Sequence, residues 1–353
     1  MISDNRESVL RDCETILSTH HDKLYNLKNE KIFITGGTGF VGTWLAEMIC
    51  YLNDNHNFGT KVCLLSKKSE NFKNKAPHLT KRKDITLIEK DIRDLMEIPS
   101  DVSYIIHAAA NPDNKMHSSD PITVMDVISR GTNAILASAF NLSNIRKILN
   151  VSSGLIYGPQ PLDLEKISEN FRGGPDCDSI LTVYPEAKRY AETLCTAYRN
   201  QNKLPIVTVR PFTFMGPYQS LEKPWAHTNF VRDSLLGGPI RILGNENTVR
   251  SYMYASDMAF WFLKILVDGN PGISYNVGNP EGVSLRKLAE MIASKSPANI
   301  KITSDAGMNA NKSVSRFVPD VNLAKGLGLE VFTSLDEIIK RTLSWYQRCL
   351  TEK

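Results

Sequence analysis

From Lys31 onward, short runs that are apolar at every position alternate with longer segments whose apolar residues recur at helical spacing. KIFIT is followed by VGTWLAEMICYL, then by KVCLLS, ITLIE, YIIHAA, ITVMDVISRGTNAILASAF and KILNVSS. A strand without polar alternation is buried on both faces, as in a parallel sheet whose crossovers are helices. The pattern predicts an open, doubly wound α/β domain over residues 31–210. Its last elements are a helix carrying YPEAK (184–188) and a strand at 205–210.

Beyond Arg210 the rhythm breaks. RPFTFMGPYQSLEKPWAHTN is rich in prolines and aromatics and reads as a loop that caps the carboxyl edge of the sheet. Helical periodicity returns at 229–236, 256–267, 284–294 and 335–349. Residues 211–246 and 271–353 are assigned to a smaller, substrate-binding α/β domain, with a return segment near 247–270 that rejoins the first. Residues 1–30 are expected to form an amphipathic helical extension lying against it.

Composition narrows the class. With 42% hydrophobic and 23% charged residues, the 353-residue chain is neither disordered nor fibrous. A net charge of +4 is too small to argue for a nucleic-acid partner, yet suits a small anion. The six cysteines show no pairing or zinc-like spacing, so buried free thiols and no metal site are expected. The charged first thirty residues lack a signal-peptide core, and no apolar stretch has the length of a membrane span. A reducing, cytoplasmic setting without membrane attachment is the resulting expectation.

Chemistry enters where the first strand meets the first helix, at Thr35-Gly36-Gly37-Thr38-Gly39-Phe40-Val41-Gly42. Glycines at such a junction permit the tight turn, the approach of backbone N–H groups to a diphosphate, and close helix–strand packing, while the helix start favours an anion. This is the mark of a Rossmann-type NAD(P) site. At the end of the second strand, where NAD binders often place an acidic residue, stand Ser66, Lys67 and Lys68. Two ammonium groups suit a 2′-phosphate and favour NADP; a solvated loop is the alternative. Asp91, after the third strand, is a candidate for the adenine edge or a helix cap.

After the fifth strand comes SSGLIYG, which aims Ser153 into the crevice. Tyr184 and Lys188, four residues apart, leave one face of the next helix. A phenol with a pKa near 10 is a poor base, and an adjacent ammonium would lower that value. Tyr184 is accordingly assigned as acid/base, Lys188 as its tuner and ribose anchor, and Ser153 as the group that holds the substrate oxygen.

TGGTGFVG, EKDIRD, HAAA (107–110), SSGLIYG, YPEAK and RPFTFMGP occur in the order and spacing of the extended short-chain dehydrogenase/reductases, and the chain resembles their nucleotide-sugar epimerase/dehydratase family. The resemblance implies the Ser153–Tyr184–Lys188 triad and adds Ile92, Ala108 and Ala109 to the cofactor residues. It also implies a nucleoside-diphosphate sugar under the carboxyl-terminal domain and homodimers built through a four-helix bundle. Departures bear on the reaction. Related 4,6-dehydratases carry Thr-Asp-Glu, and UDP-glucuronate decarboxylases a similar run ending in Glu, where this chain has Ser153, Gly154 and Leu155. Neither Gly154 nor Leu155 can shuttle a proton. Thr213 and Ile128 stand where relatives often have asparagine.

On the substrate side, Asn229 and Arg250 are assigned to the diphosphate, since an amide near a helix start and a guanidinium both bind phosphate. Capping of the helix by Asn229, and a surface ion pair for Arg250, are the alternatives. His107, His117 and His227 are read as structural. The leading functional reading is a 4-epimerase working through a 4-keto sugar. Others are an NADPH-dependent keto-sugar reductase, a dehydratase with its acid supplied from elsewhere, and a catalytically silent cofactor-binding scaffold, which would have no need of the triad.

Overall fold

The computed structural model describes residues 2–296, 300–304 and 314–351. Seven strands form the central sheet: β1 (Lys31–Thr35), β2 (Lys61–Ser66), β3 (Ile85–Glu89), β4 (Tyr104–His107), β5 (Lys147–Val151), β6 (Ile206–Pro211) and a seventh, Ser274–Val277. Their order is 3-2-1-4-5-6-7 and every pairing is parallel. The direction of winding reverses between β1 and β4, where Thr35 lies opposite His107. A crevice opens there, at the carboxyl ends of the strands. The sheet continues past the expected return segment, because residues 274–277 pair with β6.

The helices that join these strands and the second lobe include α1 (Ile2–His20), α2 (Phe40–His56), α3 (Glu70–Lys75), α4 (Pro77–Thr80), α5 (Asn114–Ser119), α6 (Pro121–Phe140), α7 (Val183–Asn202), α8 (Ala226–Leu235), α9 (Ala255–Asp268) and α10 (Leu285–Ser294). A carboxyl-terminal helix, Leu335–Thr351, follows. Consecutive strand residues point to opposite faces. Ile32, Ile34, Leu64 and Leu149 therefore meet α2 and α9 on one side, while Phe33, Cys63, Ile105 and Ile148 meet α6 and α7 on the other. α9 is apolar nearly all round and buried along its length, the behaviour of a helix enclosed on every side.

The amino-terminal helix explains that enclosure. Val9, Cys13, Ile16 and Leu17 recur at helical spacing and are fully buried against the sheet-covering helices. Each such side chain contributes about 1.5–3 kcal/mol of gross burial. Asp12, on the same helix, accepts from Tyr254 Oη at 2.6 Å and from Arg341 Nη1 at 2.8 Å. Burial still pushes its carboxyl up to about 6.

The second lobe has its own core, in which Phe230 and Val231 of α8 meet Leu288 and Ile292 of α10 and Ile338 of the last helix. Four cysteines are buried as free thiols, but Cys177 is exposed and Cys349 half-buried, which corrects the expectation for those two. Among the described residues no helix is long and apolar enough to cross a membrane, and no group of side chains could hold a metal ion.

Candidate active site

The turn from β1 into α2 is built from positions that only glycine can fill. Gly36 has φ +67°, and a Cβ there would stand 2.8 Å from the Ala108 carbonyl oxygen. At Gly42 a Cβ would come within 2.4 Å of the Gly37 oxygen, so the helix rests directly on the turn. Gly39 caps α2 without a side-chain hydrogen bond, which leaves the N–H groups at the helix start (Phe40, Val41, Gly42) without a side-chain acceptor. These features fit the diphosphate of a dinucleotide.

Thr38 joins this loop to the end of β2. Ser66 donates to the Lys68 carbonyl at 3.0 Å, so the 2.6 Å contact between its oxygen and Thr38 Oγ1 runs from threonine to serine. Lys67 lies 3.2 Å from Asp91, and Lys68 is exposed. The Asp91 carboxylate is also gripped by Arg93 at 3.0 and 2.8 Å and accepts from the Arg93 N–H as cap of the short helix Ile92–Asp94. Chiefly through Arg93, its carboxyl is held well below the usual range. Ile92 is buried, packed toward Gly131 of α6. One residue carries no sequence signal: Lys75 of α3 donates to the Thr38 carbonyl at 2.7 Å, and burial pulls its ammonium down to about 8.

The floor of the crevice is a hydrogen-bond relay. Ala108 and Ala109 N–H both donate to Thr35 Oγ1 at 3.1 Å, so the Thr35 hydrogen goes to His107 Nδ1, 2.8 Å away. Nε2 then carries the ring hydrogen toward Thr132 Oγ1 at 3.1 Å, and that hydroxyl donates to the Ile128 carbonyl. Burial pulls His107 down to about 3, in keeping with a neutral ring. Its role is to fix Ala108 and Ala109 against Gly36.

Ser153, Tyr184 and Lys188 converge at the end of β5. Ser153 caps the short helix Gly154–Tyr157, accepting from Leu155 N–H at 3.2 Å. Tyr184 and Lys188 are 5% and 3% exposed, so the pair faces inward and not solvent. Lys188 Nζ donates to the Val151 carbonyl at 2.7 Å and lies 5.9 Å from the centre of the Tyr184 ring. Burial pulls this ammonium down to about 8. It pushes the Tyr184 phenol above its ordinary range, with Ser153 opposing. The expectation that the Lys188 ammonium lowers the phenol is thereby corrected for the cofactor-free protein: burial raises it, and the opposing influence is the Ser153 hydrogen bond. Ile128 packs against Tyr184 as a hydrophobic wall. The imidazole of His117 stacks on the tyrosine ring, with centroids 4.7 Å apart and planes 9° from parallel.

Across the crevice, the Arg250 guanidinium donates to the Val249 carbonyl at 2.8 Å and to Ser315 Oγ at 2.9 Å. No carboxylate among the described residues pairs with it, and burial lowers its pKa. The surface ion pair weighed as an alternative is absent among them. Asn229 is not a cap either: α8 starts at Ala226, and the Asn229 amide oxygen accepts from Arg232 at 3.0 Å. Thr213 precedes the two-residue strand Phe214–Met215, its carbonyl accepting from Met253 N–H at 3.0 Å. Arg210 grips Glu192 of α7 at 2.7 and 3.0 Å, tying the triad helix to β6.

A profile of the NAD dependent epimerase/dehydratase family matches residues 32–278. The chain belongs to this family. Among curated relatives it is similar to UDP-glucuronic acid decarboxylase 1 of Xenopus tropicalis, 27% identical over 322 residues that cover 90% of this chain and 72% of the relative. Its fold is shared with UDP-glucose 4-epimerase from Thermotoga maritima, with a TM-score of 0.77, 21% identity and coverage of 91% and 99% of the two chains. UDP-glucuronic acid 4-epimerase from Bacillus cereus, solved with UDP-glucuronic acid and NAD, gives the same TM-score of 0.77 at 21% identity, covering 90% and 99%. This member of the family is an enzyme of the nucleotide-sugar epimerase, dehydratase and decarboxylase group.

Proposed function

We propose that this enzyme is a nucleotide-sugar 4-epimerase in which Ser153, Tyr184 and Lys188 handle the C4 hydroxyl. The observation that carries this reading is the triad beside a site closed to a further acid. A Cβ at Gly154 would stand 2.9 Å from ring atoms of both Phe212 and Phe317. No carboxylate can be accommodated there without moving two aromatics, and Leu155 is apolar. Water elimination and decarboxylation by the relatives' route lack their acid, whereas oxidation and reduction at C4 need no side chains beyond the triad once a nicotinamide cofactor is bound.

NAD(P), when bound in its oxidised form, supplies the hydride acceptor and a positive charge beside the phenol. Tyr184 is protonated in the cofactor-free protein; once the site is charged its proton would leave to solvent, and the resulting phenolate would take the O4 proton and later return it. Ser153 holds O4, and Lys188 anchors the ribose and favours phenolate once the site is charged. Arg250, a half-buried cation without a carboxylate partner among the described residues, binds the diphosphate with Asn229. Inversion at C4 would require the 4-keto sugar to present its opposite face before a bound dinucleotide gives the hydride back, with Ser153 and Tyr184 serving O4 in both orientations. The enzyme is expected to be cytoplasmic and dimeric through α6 and α7, whose outer faces expose Phe140 (53%) and Tyr190 (52%).

Lys67 and Lys68 favour a second reading, an NADPH-dependent reductase of keto-sugars. Proton NMR of the enzyme with UDP-glucose, UDP-glucuronic acid and UDP-N-acetylglucosamine separates the two. C4 inversion without added reductant supports the epimerase. A product that forms only with stoichiometric NADPH, or one that has lost carbon dioxide or water, overturns it.

A further inference from the structure

Between β4 and α6 the chain does not take the shortest path. Residues 111–119 touch both Tyr184, through His117, and the second lobe, through Lys223. His117 is 2% exposed and lies flat on the Tyr184 ring. Its Nε2 is 2.9 Å from the Asn111 carbonyl, which can only accept, so Nε2 carries a hydrogen and the imidazole plane is fixed from behind. Asp113 starts α5 by accepting from Lys115 N–H at 3.0 Å, and its own carbonyl accepts from His117 N–H. The ring is thus held at two points by its own segment.

The far side of that segment is tied to the second lobe. Lys223 Nζ lies 2.7 Å from Asp113 Oδ2 and 3.3 Å from Asn111 Oδ1. Both charged side chains are largely shielded, at 25% and 15% exposure, so the pair is screened less than an ordinary surface bridge. Burial alone would raise the Asp113 carboxyl, but Lys223 and the Lys115 N–H hold it low. Lys223 is also structural for the substrate helix: its carbonyl accepts from Thr228 Oγ1 at 2.8 Å at the start of α8, which carries Asn229. A continuous path of contacts therefore runs from α8 through Lys223, Asp113 and His117 to the Tyr184 ring.

We propose that His117 is a positioning residue for the Tyr184 phenol, and that the Lys223–Asp113 pair couples its placement to the substrate lobe. The stacked imidazole confines the phenol to the orientation that faces Ser153. Sugar-nucleotide binding, by moving the loop before α8, adjusts that confinement. The inference deepens the epimerase reading and rests on Tyr184 being its acid/base; the contacts themselves do not depend on the substrate.

The test is fluorine NMR of protein labelled with 3-fluorotyrosine, with the Tyr184 resonance assigned by its loss in Tyr184→Phe. His117→Ala should shift or broaden that resonance, and His117→Phe, which keeps a flat ring, should restore much of it. Lys223→Met, remote from the tyrosine and outside the core, should move the same resonance in the same direction. In turnover, His117→Ala is expected to lower kcat on the order of tenfold with little change in KM. A Tyr184 resonance unmoved by His117→Ala or by Lys223→Met overturns the proposal. Because that spectrum needs no substrate, failure to turn over UDP-sugars would count against the epimerase reading alone.

Discussion

Replacing Lys188 by methionine should make the cofactor-free protein more stable at neutral pH while destroying its activity. The ammonium is 3% exposed and its pKa is drawn from 10.5 to about 8, a displacement equivalent to about 3 kcal/mol of destabilisation at pH 7. Methionine removes that cost but leaves the Val151 carbonyl without its donor, a loss of about 1–3 kcal/mol. The net gain is roughly 1 kcal/mol, and its sign depends on pH. Since the folded-state pKa lies below the unfolded value, the unfolded chain binds more protons between about pH 8 and 10.5, and wild-type stability rises relative to the variant over that window. Above it the lysine is neutral in both states and keeps its hydrogen bond, so the wild type becomes the more stable protein. Urea unfolding of both proteins at several pH values between 7 and 10.5 measures the gap directly, other titrating groups cancelling in the difference. A gap that stays constant across this window would refute the assignment of Lys188 as a buried, costly cation.

Other consequences follow from the same geometry. Gly154→Ala should cost about 1–3 kcal/mol by overpacking against Phe212 and Phe317, read from urea midpoints; an unchanged midpoint would mean that the position has room for an acid after all. Lys67→Ala together with Lys68→Ala should weaken NADP more than NAD in a fluorescence titration, and equal losses would remove the argument from a 2′-phosphate. Tyr184→Phe should abolish most turnover and leave cofactor affinity nearly intact; full activity in this variant would mean that another group moves the proton.

The parallel sheet and the glycine turn between β1 and α2 were readable in the chain because their causes are local. Doubly buried strands such as KIFIT cannot alternate, and a φ of +67° at Gly36 demands glycine wherever the rest of the chain goes. The placing of Tyr184 beside Lys188 was legible for a related reason, since helical spacing alone sets them on one face. What sequence could not supply was anything decided by burial or by encounters between distant segments. The phenol was expected to be lowered by its cation, yet desolvation prevails, and desolvation depends on the walls that Ile128 and His117 provide. Asp113 and Lys223 are 110 residues apart and meet only once the second lobe closes on the first. Lys75 reaches Thr38 from a short helix with no pattern of its own. Arg250 stood out as a candidate, but its freedom from any carboxylate among the described residues became visible only in three dimensions.

The central claim is that one proton carrier and one returned hydride invert C4. It is tested most directly by incubating the enzyme and NAD(P) with a UDP-hexose bearing deuterium at C4, and following the label by NMR and mass spectrometry. The account predicts a C4-inverted product that keeps its deuterium, with no net reduced cofactor accumulating. Loss of the label to solvent, or a product lighter by water or carbon dioxide, would contradict it.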